Sequence, residues 1–204
     1  SHAIDRPAKT VNHYLLSMGL LVCVTGCTGA SLSARHPSKK VFSAYLRGLM
    51  EERAANFPEA LDEYRLALEQ DRHSSHLYVR LGATYVKLGE MEKALEQFQR
   101  ALALDAEDPD ALRWVAMLYT SQGQLDQAVA AYEQLMTIEP ADRFVMSTLA
   151  DLFVLQGKTT EAIALYHRLI QAFGSSSPLH FNLGVLYARQ GALSEALYEL
   201  SRAL

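Results

Sequence analysis

The stretch "LYVRLGATYVKLGEMEKALEQFQRALAL", residues 77–104, decides the fold. Apolar residues recur at three- and four-residue spacings on both sides of Gly89, the period of a helix with one buried face, so two amphipathic helices are expected here with a break at the glycine. A glycine there suits a helix C-terminus that needs positive φ.

The same pattern recurs along the chain at a fixed interval. Ala60, Ala94, Ala128, Ala162 and Ala196 are 34 residues apart, without insertion or deletion. Gly48, Gly82, Ala116, Ala150 and Gly184 keep the same register, as do Tyr64, Phe98, Tyr132, Tyr166 and Leu200. A further column holds Tyr85, Tyr119, Phe153 and Tyr187, and another Gly89, Gly123, Gly157 and Gly191. Small residues in two columns let helix backbones approach, and the aromatic columns fill the space to the next unit. One unit cannot cover its own apolar face, so stability must come from stacking neighbours. Asp108-Pro109 and Ser177-Pro178 each place a capping side chain before a proline at the first helical position.

A 34-residue period with these columns resembles the tetratricopeptide repeat. The resemblance implies an all-α fold, a right-handed α-solenoid of about five helix-turn-helix repeats over residues 41–204. Units are expected to start at 41, 75, 109, 143 and 177, the last one incomplete. The first unit departs from the pattern, with Glu51 in an aromatic column and Ala55 in a glycine column, and reads as a polar cap. At the other end Leu197, Leu200, Ala203 and Leu204 form an apolar face with no following helix, so the expectation is that the native polypeptide continues past Leu204 or that this end pairs with another chain.

Composition narrows the function. The chain has 204 residues, 50% of them hydrophobic and 21% charged, enough for an ordinary core. Residues 1–40 carry five Lys/Arg and one acid, Asp5, which leaves a net charge of −8 on the remainder. An acidic body argues against binding a phosphate backbone, so no nucleic-acid partner is expected. His73 and His76 straddle a turn without Cys or carboxylate partners in register, and no phosphate loop, nucleophile elbow or zinc-protease motif is present. The reading is of a non-enzyme with no cofactor and no metal.

The N-terminal segment has a separate logic. Arg6 and Lys9 precede an apolar run from Tyr14 to Val24, about 16 Å long as a helix and too short to cross a bilayer core. Basic, apolar and then small residues follow the order of a secretory leader. Val24-Thr25-Gly26-Cys27 resembles the bacterial lipobox, which implies a signal peptide over residues 1–26, lipidation of Cys27 and a flexible tether over residues 27–40. Thr28, in the absence of Asp after the Cys, resembles lipoproteins sent to the outer membrane. The alternative is that Cys23 and Cys27 are buried thiols on a packing helix.

The family resemblance places ligand-facing residues on the first helix of each unit. Here the peptide-binding groove would be formed by Tyr45, Leu49, Val79, Arg80, Arg113, Trp114, Met117, Phe144, Phe181, Asn182 and Arg189, aromatic and aliphatic with a few arginines. Trp114 lies two positions from the family's usual large residue and, beside Arg113 and Met117, has the composition of a binding hot spot; otherwise it packs as filler on a neighbouring helix. Arg80 and Arg113 are candidates to receive a ligand carboxylate, or are simply solvated. On this reading Trp114→Ala and Arg113→Glu weaken partner capture and leave stability nearly unchanged. The Lys and Asn positions of the chaperone carboxylate clamp are not matched, so that partner class is not expected.

Three functional readings follow. The first is a protein-interaction scaffold, lipid-anchored in the bacterial cell envelope, holding a peptide or helix of an unknown protein, as an assembly or secretion factor. The second is the interaction arm of a larger protein whose C-terminal part, catalytic or not, is absent from the sequence. The third is a cytoplasmic adaptor.

Overall fold

The computed structural model describes residues 38–204. The lipobox, Cys23 and Cys27 lie outside them. Among the described residues ten helices follow one another in chain order: α1 (Lys39–Arg53), α2 (Phe57–Gln70), α3 (Ser75–Lys87), α4 (Met91–Leu104), α5 (Pro109–Ser121), α6 (Leu125–Ile138), α7 (Arg143–Leu155), α8 (Thr159–Phe173), α9 (Ser177–Arg189) and α10 (Leu193–Ala203). No strand is present among the described residues. Each helix packs on its neighbours in the chain, and the pairs α1/α2 through α9/α10 stack into an all-α solenoid. The first helix of each pair is called A below, the second B.

Local chemistry sets the helix ends. Side chains of Ser38, Ser74, Asp108 and Asp142 cap α1, α3, α5 and α7 by accepting backbone N–H bonds, which satisfies donors that the first turn leaves open. Lys39 and Lys40, which the sequence reading assigned to the tether, therefore form the first turn of α1. Between A and B the chain reverses through a left-handed residue: Gly89, Gly123, Gly157 and Gly191 have φ of 71–77°. Ala55 takes the same role at φ 62°, where its Cβ is strained and a glycine would be relaxed.

The core is a ladder built from the repeat columns. Ala60, Ala94, Ala128 and Ala162 are 0% exposed, and Tyr64, Phe98, Tyr132 and Tyr166 are fully buried between successive units. Gly82 shows why its column stays small: a Cβ there would sit 2.7 Å from the Phe98 ring. The two ends differ. Ser43, Arg47 and Glu51 occupy the positions where α3 has Leu77, Leu81 and Tyr85, so the outer face of α1 is polar, with Arg47 paired to Glu63 at 2.8 Å. On α10, Leu193 and Leu197 are 66% and 71% exposed.

Candidate functional site: the face of the A helices

Each A helix shows one face to the B helices and the other outward, and the repeat register brings those outward faces side by side. Their polar members are joined by bonds between units. Tyr45 Oη lies 3.0 Å from His76 Nε2. Arg80 is ion-paired with Glu52 and its guanidinium rests over the Tyr64 ring at 5.9 Å. Tyr64 Oη donates to Glu52 at 2.7 Å; its burial pushes the phenol pKa up to about 12, against the opposing effect of Arg80. Arg113 is paired with Glu139 and, at 2.9 Å, with Asp142.

One pattern recurs in three of the units: the sixth residue covers the buried aromatic of the unit before it. Arg80 covers Tyr64, and Asn182 donates to Tyr166 Oη at 3.2 Å. Trp114 covers Phe98, ring on ring, with centroids 5.6 Å apart and planes 6° from parallel. Phe98 has no hydroxyl to satisfy, so a flat apolar cover suits it where Tyr64 and Tyr166 take hydrogen-bonding partners.

Three sequence expectations are corrected by this geometry. Trp114 is half-buried within the packing columns, not outside them. Val79 is only 6% exposed and belongs to the core instead of the groove, because its side of α3 is covered by the neighbouring units. Arg80 and Arg113 already hold carboxylates of the protein itself, from residues 28 and 26 to 29 positions away that no short-range pattern signals.

The remaining predicted residues stay accessible. Phe144 and Phe181 are 53% and 54% exposed, Met117 is 40% exposed, Leu49 and Asn182 are half-buried, and Arg189 is exposed without an ion pair among the described residues. Phe181, Asn182 and Arg189 of α9 come together with Asp151, Val154 and Leu155 of α7 around a cleft of about 320 Å³. At its floor Tyr166 Oη donates to the Asp151 carboxylate. Leu155, 68% exposed, was missed from the sequence. Its signal was present, since the equivalent positions of the other units hold Arg53, Lys87, Ser121 and Arg189, and Leu155 alone is apolar. A second apolar cleft of about 370 Å³ lies between Phe42 and Tyr45 of α1 and His76 and Leu77 of α3.

Among the described residues no group of three or more His, Cys, Asp or Glu could hold a metal ion. Nor is any described helix long and apolar enough to cross a membrane. The arrangement can bind: it offers apolar recesses, a free guanidinium and hydrogen-bonding groups fixed at their floors.

Such a ladder of paired helices with a lined outward face defines a helical-repeat interaction scaffold. Residues 79–142 and 147–204 match the family model described as tetratricopeptide repeat, and the chain belongs to that family. No curated protein matches it in sequence. Solved structures share the fold. A crystal structure of MamA protein superposes with a TM-score of 0.70 at 19% identity, covering 81% of this chain and 91% of that one. MamA residues 41 to the end from Desulfovibrio magneticus RS-1 gives 0.68 at 15% identity, with 82% and 95% covered. YrrB, described as a tetratricopeptide protein with an unusual peptide-binding site, gives 0.69 at 20% identity, with 81% and 86% covered.

Proposed function

We propose that this protein is a non-catalytic scaffold, lipid-anchored in the bacterial cell envelope, that holds an apolar segment of a partner protein on its A-helix face. The observation that carries the binding reading is the α7/α9 cleft: Leu155 and Phe181 stand more than half exposed around it, an arrangement that costs solvation unless something covers it. The partner segment would seat an aliphatic or aromatic side chain between Leu155 and Phe181 and present a carboxylate to Arg189. Large side chains in a recess rimmed by polar groups are the usual anatomy of a binding hot spot. The structural likeness to YrrB is in keeping with a peptide ligand.

The anchoring reading rests on the residues Val24 to Cys27 and the apolar run before them. Acyl chains on Cys27 would hold the array at a membrane, the outer one facing the periplasm, since stable retention takes more than one chain.

Photo-crosslinking tests both parts. A benzophenone amino acid at position 144 or 155 should give one common adduct, lost in Phe181→Glu, and position 133 on α6 should give none. Adducts formed equally from position 133, or kept in Phe181→Glu, would refute the groove. Separately, Cys27→Ser should move the protein from the detergent phase to the aqueous phase; an unchanged partition would refute the anchor.

A further inference from the structure

On the opposite side of α3 from His76 and Arg80, the array opens into a third recess. Side chains of Tyr78 and Leu81 point away from the groove at 100° per residue, and between them, α2 and α4 lies a cleft of about 540 Å³. Three arginines line it: Arg65, Arg72 and Arg100. The repeat supplies its own comparison. The equivalent positions hold Gln99, Ala106 and Gln134 at the next junction, Glu133, Pro140 and Arg168 at the third, and His167, Gly174 and Arg202 at the fourth. Three guanidiniums meet at the first junction alone, in a body whose net charge is −8.

Gln97 is the second, independent observation. It stands where α6 and α8 have Ala131 and Leu165, both buried fillers at 8% and 5% exposure. Gln97 is itself only 7% exposed, forms part of the cleft wall, and its amide makes no hydrogen bond within the described residues. Gln97 is thus a nearly buried side chain with no hydrogen-bond partner in the protein, at a position that two other units fill with apolar residues, and a ligand in the cleft would complete it.

The arginines are available to the same ligand. Arg65 bonds Asp62 at 2.9 Å and Tyr85 Oη at 2.7 Å, and Arg100 bonds Glu96 at 2.6 Å, but both ion pairs sit on half-exposed or more exposed side chains. Surface pairs of that kind are weak and exchange readily for a better acceptor. Arg72 is exposed and makes no ion pair among the described residues. One carboxylate, Glu69, also lines the cleft and is outnumbered by the three guanidiniums.

We infer that this cleft is an oxyanion site, taking a carboxylate or phosphate group borne by a side chain of a protein partner, with the Gln97 amide donating from the floor and Arg72 and Arg100 closing over it. Guanidinium forks match the planar or tetrahedral faces of both groups, and the Tyr78 and Leu81 walls would take the apolar stem that carries the charge. The site lies on the far side of α3 from the proposed groove and stands or falls without it.

The test is a titration of the ¹⁵N-labelled protein, followed by NMR at the Gln97 amide and the arginine Nε–H groups, with inorganic phosphate, phenyl phosphate and acetate at constant ionic strength. Phosphate should shift Gln97, Arg72 and Arg100 along a saturating curve, with phenyl phosphate at least threefold tighter. Arg72→Ser, at an exposed position, and Gln97→Leu, which copies Leu165, should each weaken binding at least fivefold, and Arg168→Ser should not. Acetate binding as tightly as phosphate would assign the site to Asp or Glu side chains; a tenfold preference for phosphate would assign it to a phosphorylated one. Shifts that rise linearly with concentration, or that survive Arg72→Ser in a protein of unchanged melting, would overturn the inference.

Discussion

On α3 and α5 the outward polar side chains are tied to the protein itself: His76 to Tyr45, Arg80 to Glu52, Arg113 to Glu139 and Asp142. On α7 and α9 the equivalent face offers Phe144, Leu155 and Phe181 to solvent and an Arg189 without an ion pair. Both stretches share one backbone plan and one 34-residue register, so the difference lies in a handful of side chains per unit. Where a unit's polar groups find partners in the unit before or after, the surface is closed and serves cohesion. Where apolar groups replace them, the surface is open, and it is there that the proposed guest would bind.

Exchanging the effects of mutation between these stretches tests the contrast. The largest effect on folding is expected for Trp114→Ala, which strips the cover from Phe98 and should cost about 2 kcal/mol in urea unfolding, the scale of a truncated, half-buried aromatic. Phe181→Ser should cost about 2 kcal/mol in partner affinity, as for an aromatic anchor, while moving the unfolding midpoint by less than about 0.5 kcal/mol, as for an exposed residue. Asp142→Ala removes both the N-cap of α7 and one partner of Arg113, and should cost about 1 kcal/mol of stability.

Acid sharpens the same contrast with smaller effects. The Asp142 carboxyl is held below its usual range: burial alone would raise it, but the Val145 and Phe144 N–H groups and the Arg113 guanidinium win. A depressed carboxylate contributes stability above its unfolded pKa and loses it as pH falls through the folded value. Asp142→Asn should therefore flatten the loss of stability in the pH region below about 4. His76 is also held low, by burial first and by the Arg80 charge second, with Asp108 and Asp110 opposing. Here the unfolded chain binds the proton more readily, so stability is full above about 6.5 and declines as pH drops below it. The slope should be shallow, and absent in His76→Gln. An equal slope in that variant would place the titrating group elsewhere.

The ladder was legible in the sequence because its signal is periodic: small residues at Ala60, Ala94, Ala128 and Ala162, and aromatics four residues on, return every 34 positions and report buried layers directly. The ends of α3, α5, α7 and α9 were legible through Gly89, Gly123, Gly157 and Gly191. What a period cannot show is pairing between columns. Trp114 looked displaced from a packing column, yet its place over Phe98 depends on the missing hydroxyl of a residue 16 positions earlier. Arg80 and Glu52 are joined across 28 positions, and neither is unusual alone. Val79 carried the opposite error: a groove position by count, it is buried by the units on either side. Phe144, Phe181 and Arg189 kept their accessibility because nothing in α7 or α9 pairs with them.

The account's central claim is the division of labour between the two stretches, and the most direct measurement pairs unfolding free energy with affinity for the crosslinked partner segment in Trp114→Ala and Phe181→Ser. The account predicts opposite outcomes: Trp114→Ala loses stability and, while folded, keeps its affinity, and Phe181→Ser loses affinity and keeps its stability. Trp114→Ala that abolishes binding at unchanged stability, or Phe181→Ser that binds like the wild type, would contradict it.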